Sequence, residues 1–544
     1  MSKPPNNSKS SGMRVDKAVF FPATIVTLAF GVLFFAAPEA SERILGYIHS
    51  FTTNELGWFF LVFTALLLGL CLYYGFSRVG NIVLGAPGEK PMFSTGTWLG
   101  LVLVSGTGGS LLYLSAIEWV WIAQAPPFGV EPMSAEAFRW ASAYGMYHWG
   151  PSAWAFYIAV AVPIAYFFYV KKKNNMKMSE YCRPLIGKHA DGIAGHALNF
   201  LYIFGLLGGV LTSLAMGTPP LASGIAFVLG LPESNLLIDT MVIVLWTFLP
   251  LIAIYLGMKK GIARASNLNI YGFGILLLIV IVFGPTWFIF NQSFDALGLM
   301  IQNYIYMGFA TDPIGALMNP DSHSFFPQAW TIFYMSWWAV YALPFGLFIG
   351  KISKGRTIRQ LALGGLASGS LGSMIFYMIM PNFGIHLQLT GAVDLVQTLA
   401  ERGRGGVAID MMMQAPAGPV MVGLFTLVVL VSYITGHVTV GYSLAAASEK
   451  KLKDEQDPQL WNVTFWLILA GIVSLGLYLV NPAALTPLQT VSIVTGFPIC
   501  FAITAVVMSF FKQLKDDFPE GVPAPGTTAG GKIYGKPEAQ PKED

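Results

Sequence analysis

The residues in this sequence that can do chemistry are rings and small residues rather than clustered acids and bases. The stretch TIFYMSWWAVYALPF, residues 331–345, places Trp337 and Trp338 side by side and Tyr341 one turn later, inside a long apolar run. On a helix, Trp337 and Tyr341 form an i,i+4 pair on one face, and Trp338 is turned about 100° away. The set therefore divides between lining a cavity and packing on a neighbour. Lipid-facing helices favour aliphatic side chains, and Trp and Tyr gather at headgroup level, so rings at mid-run face something other than lipid. Core packing is the plain alternative, with each buried indole needing a partner for its N–H. A second set, HWGPSAWAFY (148–157), holds Trp149 and Trp154 on either side of Pro151, which can start or bend a helix. Trp149, near a helix end, also suits an interfacial anchor, whereas Trp154 lies deeper. Several indole faces with few charges suit a cation that cannot donate hydrogen bonds. That is a quaternary ammonium group, attracted by about 2 kcal/mol or more at a desolvated ring.

Three other features are candidates. Glu118 is the clearest acid within an apolar run, followed by Trp119 and Trp121 in IEWVWIAQAPPF; it is either a functional intramembrane carboxylate or a helix-end structural group. The cluster SGTGGS (105–110) sets Gly106, Gly108 and Gly109 within one turn. This favours close helix packing, or an unwound segment whose carbonyls line a cavity. His437, beside Gly436, is a proton-coupling candidate because imidazole titrates near neutral pH, or else a hydrogen-bonded core histidine. Enzyme chemistry is disfavoured: Cys71, Cys182 and Cys500 are isolated, the histidines are scattered, and no HExxH or Ser/His/Asp spacing occurs.

The elements that must position these residues are transmembrane helices. Of 544 residues, 55% are hydrophobic and 11% charged, less than half the charge of an average soluble domain. Runs of about 20 apolar residues, enough to cross a bilayer, recur at 17–37, 56–76, 97–123, 146–170, 196–229, 236–258, 265–291, 329–350, 359–380, 417–447, 459–480 and 486–511. With alternating spans and a cytoplasmic N-terminus, only Arg43, Arg139, Arg402 and Arg404 of the 31 Lys and Arg fall outside, the positive-inside pattern. The net charge of +3 follows from this topology and implies no nucleic-acid partner. The first run reads as a retained helix rather than a signal peptide. Residues 1–16 and the last 30 or so are expected to be disordered, the latter within a short cytoplasmic tail at 512–544, and 295–308 within the 292–328 connector could form an amphipathic surface helix.

The stretch QAWTIFYMSWWAVYALPFGLFIGKISKGRTIRQL (328–361), with its ISKGRTIR loop, closely resembles the signature of the betaine/carnitine/choline transporter family. HWGPSAWAFY and PIAYFFYVKKK resemble that family's fourth helix. The resemblance implies an all-α integral membrane fold of twelve transmembrane helices. Two peripheral helices (17–96) would precede two inverted five-helix repeats (97–291 and 329–511). It further implies a midplane site, a homotrimer surrounded by membrane lipid, both termini cytoplasmic in a bacterial inner membrane, and no cofactor beyond sodium as a coupling ion. By motif match the substrate box would be Trp121, Trp149, Trp154, Trp337, Trp338 and Tyr341.

HWGP with Tyr341, IEWVWIAQAPPFG and TSLAMGTPPL resemble the carnitine/γ-butyrobetaine exchangers more than the betaine symporters. Ion and coupling candidates, again by resemblance, are Gly106, Thr107, Asn269 and Thr435. Sodium-coupled members carry Gly-Met-Gly-Ile-Gly where this chain has Gly106 to Ser110, and a Thr-Ser pair where it has Thr435 and Gly436. A hard cation needs several oxygens, so the lost hydroxyl argues against sodium. Asn269 stands where the exchangers carry arginine, which argues the other way. The expected function is secondary active transport of carnitine, γ-butyrobetaine, glycine betaine or choline by alternating access, with sodium symport, exchange and proton coupling all open. Alternatives are a dimethylsulfonio solute as substrate, or an osmosensor.

Overall fold

The computed structural model describes residues 14–86, 88–106, 109–173, 177–255, 258–318, 324–450, 457–480 and 486–523, with two short pieces at 528–529 and 532–533. The chain is a helical membrane bundle. Helix α1 (Lys17–Ala36) is followed by α2 (Pro38–Ser50), which starts on a proline, and then by α3 (Gly57–Phe76). At 20 residues each, α1 and α3 match a hydrocarbon layer of about 30 Å.

Over the third expected span the described residues form α4 (Thr95–Gly106) and α5 (Gly109–Gln124), with residues 107 and 108 outside the described residues. The fourth is α6 (Ala135–Trp149) joined to α7 (Pro151–Ala165) at Gly150, whose ψ of -143° leaves the helical range just before the proline. This span begins well before residue 146. Ser134 caps it by accepting from the Ala137 N–H, it packs on α13 and α16 (ranges below), and Arg139, partly exposed near its start, is paired with Glu136 and Asp295.

Two single-turn helices, α8 (Met178–Tyr181) and α9 (Arg183–Ile186), lead to α10 (Ile193–Val228), α11 (Leu236–Tyr255) and α12 (Met258–Phe283). The expected span 265–291 ends early: at Gly284–Pro285 the chain bends by 108° into α13 (Thr286–Phe309). Ile289, Ser293, Ala296, Met300 and Met307 of α13 are buried while Trp287, Phe294 and Ile305 are exposed. Arg139 of α6 grips Asp295 with two hydrogen bonds, at 2.7 and 3.1 Å, and ties this helix down.

After α14 (Pro313–Met318), a π-helical turn opens α15 (Ile332–Lys351) and another opens α16 (Gly365–Thr390). Then come α17 (Leu395–Met413), kinked where Gly403 has φ of 65°, α18 (Gly418–Ser448), α19 (Leu460–Val480) and α20 (Thr486–Asp517). Residues Thr528–Ala529 and Lys532–Ile533 pair as a short antiparallel ladder. Ten helical stretches of the described residues, with α6–α7 counted as one, are long and apolar enough to cross a membrane, and the bent α12–α13 pair brings the number to as many as eleven. Helices α4 and α5, of 12 and 16 residues, lie where the third crossing is expected.

The core is centred on α15, which runs along α7 and α20. Gly346 and Gly350, four apart, let α15 lie against α7: a Cβ on either would stand 3.1 Å from a backbone oxygen of Tyr157 or Ala161. The ISKGRTIR loop after α15 is held by the 82–93 segment. Gly355 N–H bonds Leu84 O, Arg356 lies 4.2 Å over the Trp98 ring, and its guanidinium donates to Phe93 O.

Candidate functional site

Helices α5, α6, α7, α10, α15 and α18 line a cavity. One wall is aromatic. Trp337 and Trp338 of α15 stack at 5.4 Å and 19°, and Trp149, the last residue of α6, meets Trp338 edge-on at 4.6 Å and 73°. Tyr157 of α7 stands edge-on to Trp338 at 6.3 Å. Tyr341 lies a turn below Trp337 at 6.4 Å, is hydrogen-bonded to Ser213 Oγ at 2.7 Å, and stacks on Phe345. Trp338 and Trp337 both reach the cavity although they point about 100° apart, because the Trp338 N–H is drawn to the His148 carbonyl (2.9 Å) beside the Gly150 break.

The opposite wall is small and polar. It comprises Gly109 and Ser110 at the start of α5, and Ser432, Tyr433, Gly436 and His437 of α18. Tyr433 is fixed by stacking on Trp246 at 4.2 Å and by a 3.0 Å hydrogen bond between its hydroxyl and Ser110. Among the described residues no Asp, Glu, Lys or Arg lines the cavity. Trp337 Nε1, Tyr157 OH and His437 Nε2 are buried there without a hydrogen-bond partner.

Of the residues singled out in the sequence, Trp149, Trp337, Trp338 and Tyr341 come together on this cavity. Trp121 and Trp154 stand apart from it. Trp121 stacks on Trp330 at 5.3 Å, and Trp154 is buried against Gly369 of α16 with its N–H on Ser373 Oγ (3.1 Å). A Cβ on Gly369 would lie 2.0 Å from the Trp154 ring. Gly369→Ala is therefore expected to cost about 1–3 kcal/mol through overpacking, seen as a lower thermal midpoint of the purified protein; an unchanged midpoint would show that the ring can yield.

Gly106 ends α4, and Thr107 lies outside the described residues. Asn269 and Thr435 meet behind the polar wall: Asn269 Nδ2 donates to Thr435 Oγ1 (3.3 Å), and Ser432 Oγ donates to Asn269 Oδ1 (3.1 Å). Sequence reasoning does not select Ser110, Tyr157, Ser213, Phe345 or Tyr433 as site residues. Phe345 is legible as the next i,i+4 step after Tyr341, but no local pattern brings Tyr433 to the start of α5.

Glu118 is completely buried outside the cavity. Its carboxylate accepts from Tyr334 OH (2.7 Å) and Tyr377 OH (2.6 Å) and faces His148 Nδ1 at 3.3 Å, while His148 Nε2 meets Thr331 Oγ1 at 3.1 Å. Tyr334 in turn stacks on Trp338 at 5.6 Å and on His148 at 4.7 Å. The acid thus braces the aromatic wall from behind.

A family model described as BCCT, betaine/carnitine/choline family transporter, matches residues 18–519. The chain is also similar to a Na+-coupled sialic acid symporter solved in a substrate-bound outward-open state, at 14% identity and a TM-score of 0.41 over 78% of this chain and 82% of that one. With nearly its whole length matched, the chain belongs to the betaine/carnitine/choline transporter family: it is a multi-pass membrane protein for secondary transport of betaine- and choline-type substrates, not an enzyme.

Proposed function

We propose that the cavity carries a small zwitterionic quaternary ammonium compound, with carnitine, γ-butyrobetaine and glycine betaine as the leading substrates. The observation that carries this reading is the convergence of Trp149, Tyr157, Trp337 and Trp338 on one space without a charged lining residue. Ring faces would hold the trimethylammonium head. The substrate carboxylate would point to the other wall, where Ser110 and Ser432 offer hydroxyls. Transport would proceed by rocking a helix bundle around this site, with 97–291 and 329–511 as inverted repeats. The excess of Lys and Arg on one side supports cytoplasmic termini, in a homotrimer of a bacterial inner membrane.

Exchange of carnitine against γ-butyrobetaine is the coupling this reading adopts. Sodium symport is the second reading, favoured by the oxygen-bearing cluster of Asn269, Ser432 and Thr435. The test is uptake of labelled carnitine into proteoliposomes, with and without external sodium and with and without internal γ-butyrobetaine. Exchange requires stimulation by the preload and indifference to sodium. A sodium requirement without a preload effect assigns the cluster to the ion instead. Uptake should be inhibited by choline and untouched by its neutral carbon isostere, 3,3-dimethylbutan-1-ol; equal inhibition by both would remove cation recognition from the site.

A further inference from the structure

His437 is the one imidazole among the described residues of the cavity lining, and its geometry leaves one nitrogen committed and one free. Nδ1 lies 2.7 Å from the Tyr433 carbonyl. A carbonyl only accepts, so Nδ1 carries the hydrogen, and in the neutral ring Nε2 is left with a bare lone pair. That nitrogen is buried, without a partner, on the same polar wall as Ser110 and Ser432. A bare lone pair there repels a carboxylate, whereas an Nε2–H would donate to it with the added strength of a charge-assisted bond.

We propose that His437 takes up a proton together with a carboxylate-bearing substrate and donates the new Nε2–H to that carboxylate. This makes zwitterion binding proton-linked while leaving a purely cationic substrate without that link. The proposal rests on the quaternary ammonium reading above. The step is a proton transfer from water to Nε2; no other bond changes, and the carboxylate beside a quaternary ammonium stays ionised throughout.

The surroundings are compatible with such a switch. On its own helix, His437 has the Tyr433 ring at 6.0 Å, and from α11 it has Trp246 at 6.3 Å. On the same wall stand the neutral hydroxyls of Ser110 on α5 and Ser432, and across the cavity the phenols of Tyr157 on α7 and Tyr341 on α15 with the hydroxyl of Ser213 on α10. The charged group whose field reaches the neighbouring Tyr433 is Arg404 of α17. Among the described residues no carboxylate lines the cavity to stabilise an imidazolium, so the substrate itself has to bring the negative charge. Proton and carboxylate therefore favour each other's binding, and the coupling is reciprocal.

The sign follows. Below the pKa of His437 in the complex and above its value in the empty cavity, binding takes up a proton. Zwitterion affinity therefore rises as pH falls through that window, by up to about tenfold per pH unit for one proton. Choline, lacking an anion and meeting an added positive charge, is flat or weakened over the same window.

The test is titration of the purified full-length protein in lipid nanodiscs with glycine betaine and with choline between pH 8 and pH 5.5, in wild type and His437→Gln. The readouts are tryptophan fluorescence and calorimetry in two buffers of different ionisation enthalpy. Steepening of glycine betaine affinity at low pH, proton uptake in the calorimeter, and loss of that slope in His437→Gln, whatever its absolute affinity, support the proposal. A flat wild-type profile with no proton uptake overturns it, as does a slope that survives in His437→Gln. Should the variant fail to fold, the wild-type proton count alone decides. If neither ligand binds wild type at any pH, the quaternary ammonium reading itself has failed.

Discussion

Replacing Trp337 with leucine is expected to weaken binding of a trimethylammonium substrate roughly thirtyfold, the equivalent of about 2 kcal/mol for one desolvated cation–π contact. Trp337 is the cleanest place to make that measurement. Its ring faces the cavity and its N–H has no partner, so the substitution removes an aromatic face without orphaning a carbonyl. Its neighbour differs. Trp338 donates to His148 O, so Trp338→Leu also leaves a buried acceptor unpaired and should lower both affinity and stability. Calorimetric titration with glycine betaine, run beside thermal melting, separates the two. A Trp337→Leu protein that binds as tightly as wild type would mean that the cation sits elsewhere.

The contrast between these two tryptophans shows what the sequence could tell. Trp337 and Tyr341 share a helix face by spacing alone, and the structure brings both to the cavity with Trp149. Trp338, turned away from that face, is recruited because the chain breaks at Gly150 and offers a carbonyl there. That is a tertiary event with no local signature. Trp121 and Trp154 carry the same motif context as their neighbours, but their rings are taken up by Trp330 and Ser373.

Hydropathy located most crossings well because lipid-exposed stretches must be apolar. It failed at both kinds of exception. The start of α6 is polar, with Arg139 paired to Glu136 and Asp295, and α13 is apolar yet bent 108° away from its preceding helix. The Gly284–Pro285 pair at that bend is a turn signal, hidden inside an apolar run. The polar half of the cavity was the least legible, since serines on α5, α10 and α18 meet only through packing.

Glu118→Ala is expected to be among the most damaging single changes. It would remove the acceptor for Tyr334 OH, Tyr377 OH and His148 at once. All of these groups are buried, and each buried polar group left unsatisfied costs about 1–3 kcal/mol. A loss of several kcal/mol is a large part of the margin by which a protein stays folded. Melting followed by size-exclusion chromatography should show aggregation at temperatures where wild type is monodisperse.

Glu118→Gln keeps an oxygen for the two tyrosines and supplies an N–H₂ that His148 Nδ1 can accept once its hydrogen resides on Nε2, facing Thr331. It should therefore recover most of the stability, and with it the wall, because Tyr334 stacks directly on Trp338. The paired variants separate bracing from charge. If Gln melts like wild type but binds choline far more weakly, the carboxylate acts on the bound cation through its charge. If Gln restores both stability and binding, the role of Glu118 is to hold Tyr334, Tyr377 and His148 where the rings need them.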